Sequence, residues 1–264
     1  MAETQRMLRI LGLFGPDRPL IAPEWLVEQF RVSRASVYRD LQQLTQVGLL
    51  ERVADRGYVL GPMVVELDRQ IRLADPLLEA AQELPAQLAD ETGGTVLLCR
   101  FHGSKVLCIH QVNGHNPALS ISYERGRAMP LYRGATSKII LANLPAARLK
   151  QLWTSERPTL VAAGLPDDFT RFTEALRTLR QAGCCVTHGE VDPDAVGFAV
   201  PLHDGEHLLG SLSVVMPAAG LTAAQHKTTL SRLQSAAGRI QGRLQDERDK
   251  ARAAPRTRNT IGSP

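Results

Sequence analysis

The sequence predicts an α+β protein in two parts, and two patterns carry that prediction. Between residues 22 and 61, apolar side chains recur first at helical spacing and then in two short strand-like runs. From residue 76 to about 248, helical stretches are interleaved with paired apolar runs around tight turns, the arrangement of antiparallel hairpins among helices.

A first helix runs from about Gln5 to Phe14, with Met7, Leu8, Ile10, Leu11 and Leu13 available for packing, and Gly15-Pro16-Asp17 ends it. In the next helix Ala22, Leu26, Val27 and Phe30 form one apolar stripe. After a break at Arg31-Val32, Ser33 is suited to cap a further helix, because its hydroxyl accepts an otherwise orphan backbone N–H. There Val37, Leu41 and Leu44 recur at i, i+4 and i+7 and turn inward, which leaves Arg34, Ala35, Ser36, Tyr38 and Arg39 facing out. Gly48 stops the helix, and Leu49 to Val53 and Gly57 to Leu60 make two strands around Ala54-Asp55-Arg56.

This order of elements is that of a winged helix-turn-helix. Small and basic residues at the exposed start of its second helix are what entry into a DNA major groove requires. Residues 1–61 carry eight Arg and seven acids, so the segment is not basic overall. Its charge is local: Arg31 to Arg39 holds three arginines and no acid, and Arg52 and Arg56 flank the tip of the wing. Phosphate contact needs one basic face rather than a basic domain. The implied partner is double-stranded DNA. Arg34, Ala35, Ser36 and Tyr38 are assigned to base edges, and Ser33, Arg39, Arg52 and Arg56 mainly to phosphates.

The expected domains are 1–61 for DNA binding, a linker helix over 62–75, a larger domain over 76–248 and a disordered tail over 249–264. Val64, Leu67 and Ile71 give the linker helix a narrow apolar stripe. That stripe fits a seam between two copies, and equally a face laid on the second domain. Within the larger domain, Leu77 to Glu91 reads as helix interrupted at Pro85. Thr95–Arg100 and Lys105–Val112 read as a hairpin about residues 102–104, and Ala118–Tyr123 as a third strand. Residues 125–131 read as irregular. Helices follow over 134–142 and 168–182, a second hairpin pairs Gly197–His203 with Leu208–Val215, and a last helix runs from the Thr222 cap to about Arg248.

No apolar run reaches the ~20 residues of a membrane helix, and the N-terminus has no apolar signal core, so the expected location is the cytoplasm. Four cysteines lack CxxC spacing and read as reduced, mostly buried thiols. No GxSxG elbow, HExxH or Gly-rich phosphate loop is present, so the chain is read as a non-enzyme that needs no cofactor or metal.

A ligand site is argued at Gly134, Ala135, Thr136 and Ser137. The first turn of a helix offers unpaired N–H groups and the positive end of its dipole to a carboxylate, and small residues let the anion approach. An alternative trigger is redox, because Cys184-Cys185 is a vicinal pair after Gly183, although neighbouring cysteines bridge only through strained geometry.

The segments LRILGLF, VSRASVYRDLQQLTQVGLLER, YVLGP, MPLYRGATSKIILANL, GEVDPDAVGFAVPLHDG and GSLSVVMP, in this order from about Arg6 to Leu244, resemble those of IclR-type bacterial transcriptional regulators. The resemblance implies a winged helix-turn-helix, a linker helix and a GAF-like effector-binding domain. It also implies a homodimer or dimer of dimers on a partly palindromic operator, with a small organic acid as effector. It places the effector carboxylate at Ala135 and Thr136, puts Ala118, Ile121 and Met129 on an apolar wall, and sets Ala195, Gly197, Ser213 and Val215 opposite. An acidic position of the family aligns at Thr187, His188 or Glu190, and Arg133 or His188 is available as a cationic partner or as plain surface. Members that bind small oxo-acids are polar where this chain has Gly197 and Val215, which implies a larger, less polar pocket suited to an aromatic or longer acid. GAF-like folds also include cysteine-dependent reductases, which would give Cys99 and Cys108 an enzymatic role.

Overall fold

The apolar spacing of the N-terminal segment produces three helices, α1 (Glu3–Leu11), α2 (Pro23–Phe30) and α3 (Arg34–Gln46). A hairpin of β1 (Leu50–Val53) and β2 (Gly57–Leu60) follows, and then helix α4 (Met63–Ala74). The computed structural model describes residues 3–103, 105–115 and 121–253. It divides into two units, Met1–Asp75 and Pro76–Pro264.

The first unit closes on Ile10, Ile21, Leu26, Val37, Leu41, Leu44, Leu50 and Tyr58. Leu8, expected to pack inward, is 58 % exposed, so the inner stripe of α1 is carried by its neighbours Met7, Ile10 and Leu11. Arg31 ends α2 in the left-handed region (φ 53°), its N–H donating to the Val27 carbonyl, and the chain turns within two further residues into α3. Ile21 and Tyr58 exchange N–H to carbonyl bonds of 2.9 Å in both directions, tying the segment before α2 to the hairpin. That crossing needs Gly57, because a Cβ there would lie 2.4 Å from the Ile21 carbonyl oxygen. The Arg6 guanidinium donates two bonds to the buried Asp40 carboxylate, at 2.6 and 3.0 Å, and so fastens α1 to α3. α4 buries none of its residues.

In the second unit α5 (Pro76–Ala81) and α6 (Leu84–Thr92) are separated at Gln82, whose φ is +33°, and Pro85 falls in the first turn of α6, where a missing N–H costs no helical bond. Strands β3 (Thr95–His102), β4 (Lys105–Val112) and β5 (Ala128–Pro130) precede the helices α7 (Gly134–Ala142), α8 (Ala146–Ala162) and α9 (Phe169–Ala182). Next come β6 (Cys185–His188), β7 (Ala195–Asp204), β8 (His207–Pro217) and the long helix α10 (Ala223–Ala253). The sheet runs β5-β4-β3-β8-β7-β6, and every pair is antiparallel.

Both sheet faces are covered. Val96, Leu98, Phe198, Val200, Leu212 and Val214 pack with α5, α6 and α10. Their alternates Leu97, Cys99 and Val215 pack with α7, α8 and α9, around Phe172, Leu176 and Leu160. The period-two alternation of a strand sends successive residues into these two cores.

Two expectations are corrected, and two elements absent from them are added. Residues 121–123 are not strand, and 116–120, with Ala118, lie outside the described residues; the edge strand is instead β5, in the stretch read as irregular, where Val106 faces Met129. α8 was not foreseen, because Glu156 leaves helical geometry and Pro158 interrupts its periodicity. β6 extends the sheet beyond the two expected hairpins. α10 continues to Ala253, so residues 249–253 of the expected tail are helical, and 254–264 lie outside the described residues. Among the described residues no helix is long and apolar enough to cross a membrane.

Removing one partner of a buried ion pair strands the other charge. The Asp40→Ala variant is therefore expected to lose about 3–5 kcal/mol of stability in the N-terminal unit, measured as a shift in its urea midpoint. A loss below about 1 kcal/mol, the usual worth of an exposed pair, would contradict this role.

Candidate ligand site and nucleic-acid interface

The start of α3 presents the residues assigned to DNA. Ser33 has extended backbone and caps the helix, its Oγ accepting the Ser36 N–H at 3.2 Å, and the two hydroxyls lie 3.0 Å apart. The cap thus engages Ser33 and half-buries Ser36, while Arg34, Ala35, Tyr38 and Arg39 are exposed. Arg52 on β1 and Arg56 in the hairpin turn are exposed as well. Buried Val37, Asp40, Leu41 and Leu44 fix the opposite side of the helix.

The start of α7 is the reverse case, because Gly134, Ala135, Thr136 and Ser137 are all buried. Its first backbone donors are taken by the protein itself. The Gly134 N–H donates to Glu190 Oε2 at 3.0 Å, and the Ala135 N–H to Thr187 Oγ1 at 3.0 Å. Glu190 Oε1 also accepts from Lys138 Nζ at 2.5 Å, one turn into the helix. On the sheet below, Thr136 Oγ1 donates to Ser213 Oγ at 2.9 Å and Ser211 Oγ donates to the Thr136 carbonyl. Ser137 Oγ is 2.7 Å from the Tyr123 hydroxyl, whose pKa burial pushes up despite that bond.

A cavity of about 30 Å³ lies at this helix start. Gly134, Ala135, Thr136, Glu190, Ala195, Gly197 and Val215 meet there as expected from sequence, joined by Tyr123, Thr187, Val191 and Asp192. Ser137 and Ser213 lie behind this lining, and Ile121 and Met129 pack instead against the core between the sheet and α7–α9. His188 is exposed and stacks on His226, and the exposed Arg133 donates to the Glu190 carbonyl at 2.6 Å rather than entering the cavity. The cation at the site is Lys138. The cavity is small although residue 197 is a glycine, where a Cβ would make ordinary contact with the Ala135 Cβ at 3.4 Å and Thr187 Oγ1 at 3.5 Å.

The family model of the bacterial transcriptional regulator IclR C-terminal domain matches residues 74–242. The chain belongs to the IclR family. It is similar to the transcriptional regulator KipR of Bacillus subtilis, 22 % identical over 76 % of this chain and 80 % of KipR. An IclR regulator of Silicibacter sp. TM1040 shares the fold with a TM-score of 0.78 over 92 % of this chain and 96 % of its own, at 22 % identity. An IclR homolog of Microbacterium hydrocarbonoxydans, solved in complex with 4-hydroxybenzoate, does so with a TM-score of 0.75 over 93 % of this chain and 100 % of its own, at 21 % identity. IclR proteins and these relatives regulate transcription and are not enzymes, so the reductase reading of Cys99 and Cys108 is dropped.

In this IclR chain those two cysteines are partners across the β3–β4 ladder, a juxtaposition that sequence spacing did not reveal. A bond between the thiols, together with burial, pushes Cys99 up, and the same bond lowers Cys108. Burial pushes Cys185 up to about 12 and raises the half-buried Cys184 as well.

A raised pKa keeps a thiol neutral, and therefore unreactive, at any pH well below it. With Ellman's reagent at pH 8, Cys184 is expected to react first; Cys99, Cys185 and Cys108, the last shielded by burial although its pKa is lowered, react only on unfolding. Mass mapping that finds Cys185 modified as fast as Cys184 in the folded chain would refute this order.

Proposed function

We propose that this IclR regulator reads a partly palindromic double-stranded operator through the exposed start of α3 and the β1–β2 wing, and that a small organic acid, aromatic rather than a short oxo-acid, sets its operator affinity. Arg34, Ala35, Ser36 and Tyr38 face base edges; Ser33, Arg39, Arg52 and Arg56 anchor phosphates. The three helices and hairpin of residues 1–61 support a winged helix-turn-helix, and α4 a linker. Val65, Leu67, Ile71 and Leu73 on α4 are each 48–71 % exposed, which favours a homodimer seam, with a dimer of dimers built on it. The protein would act in the cytoplasm, where operators are found.

The observation that carries the ligand class is that the buried start of α7 already holds a carboxylate, that of Glu190, between a backbone N–H and an ammonium. The 4-hydroxybenzoate complex of the Microbacterium relative favours an aromatic acid. The effector would shift an existing equilibrium in how two readers are spaced, by binding its two states unequally. A redox trigger at Cys184-Cys185 gains no support, because burial raises the pKa of both thiols, away from the reactive thiolate.

Two measurements test the reading. Calorimetry against hydroxybenzoates, pyruvate and glyoxylate is expected to favour the aromatic acids, and tight binding of the oxo-acids alone would overturn that choice. In fluorescence anisotropy on the chain's own promoter and on random duplex, Arg34→Ala should cost on the order of 1–3 kcal/mol and relax sequence preference, whereas Arg52→Ala should weaken all duplexes alike. An equal, sequence-blind loss in both variants would reject the division of roles.

A further inference from the structure

Resting on that reading of the α7 site, we propose that Glu190 is a built-in carboxylate holding the effector's seat, so that an organic acid binds by exchange: its carboxylate displaces Glu190 and lifts the loop of residues 189–194.

Space makes the first argument. The cavity of about 30 Å³ has room for little more than a water molecule, whereas sites that enclose small organic ligands run to roughly 300 Å³ and above. An acid therefore enters only if something leaves. What fills the site is the loop between β6 and β7. Glu190 caps α7, Val191 Cγ2 sits 2.8 Å from where a Gly134 Cβ would lie, and the Asp192 carboxylate accepts from the Ser122 N–H and hydroxyl at 3.0 and 2.5 Å.

Charge makes the second. Lys138 is only 16 % exposed and needs an anion, since a nearly buried ammonium without a partner is costly. Glu190 is 30 % exposed and has solvent beside it, so the carboxylate can swing out at far less cost than Lys138 can be left alone. The seat accordingly passes from one carboxylate to another. An acid inherits both the Gly134 N–H and the Lys138 ammonium, while its neutral amide can accept a hydrogen bond but brings no charge to pair with Lys138. Lys138 and Glu190 thus become the pair that sets specificity for acids over isosteric neutral compounds, and the loop supplies the two arrangements between which the effector chooses.

The test uses the full chain and calorimetry with 4-hydroxybenzoate, benzoate and pyruvate, each beside its neutral amide. Glu190→Gln removes the resident charge with little change of shape. It is expected to bind the preferred acid roughly tenfold more tightly than wild type, the factor regained when a competing state that dominates by about nine to one is abolished. Lys138→Met is expected to lose the acid-over-amide preference. Acid binding to Glu190→Gln that is equal to or weaker than that of wild type, in protein of unchanged melting temperature, overturns the exchange while leaving the site in place. Gly197→Leu, which would fill the cavity, separates the other failure: if it binds the acid as well as wild type does, the α7 site itself is wrong.

Discussion

A helix cannot begin in a protein interior unless its first N–H groups find acceptors there. That constraint organises the second unit. The α7 start is buried against β7 and β8, so a threonine on β6 and a glutamate beyond it turn inward to meet the Gly134 and Ala135 donors. The sheet also meets Thr136 with hydroxyls, Ser213 accepting from its side chain and Ser211 donating to its carbonyl. Gly134 begins the helix with φ +78° and no side chain to collide with Val191. Together these contacts draw the β6–β7 loop over the helix start and leave a cavity with space for water but not for an acid.

How much of this was legible in the sequence follows from how local each interaction is. The Ser33 cap and its Ser36 partner are three residues apart, and the wing closes over a short turn, so helix and hairpin could be read from adjacent residues. The α7 start was found for the same reason. Its partners could not be read from spacing, because Thr187 and Glu190 meet it across more than fifty residues and Ser213 across seventy-seven, and only the family resemblance pointed to them. The family alignment left three positions open at 187–190, and only geometry separates two that touch α7 from His188, which points to His226. The small cavity was not legible either: residue 197 lacks a side chain, and yet Glu190 and Val191 of the β6–β7 loop occupy the helix start. In α8 the obstacle was local: a proline and a non-helical residue break a run whose buried leucines, 149, 152 and 160, keep no single period.

The two units solve the burial of charge differently. At α7 the ion pair is partly exposed, and its carboxylate lines the cavity. In the first unit the Arg6–Asp40 pair is enclosed, with Asp40 on the inner side of the helix whose outer side bears Arg34, Tyr38 and Arg39.

That enclosure ties the outward arginines to a residue near the chain's beginning. A protein trimmed to start at Met7 keeps every side chain assigned to DNA, yet leaves the carboxylate of Asp40 sealed inside without its guanidinium. Such a trimmed form would lose stability in the unit that carries those side chains, and an added binding tag is better placed ahead of Arg6 than substituted for it.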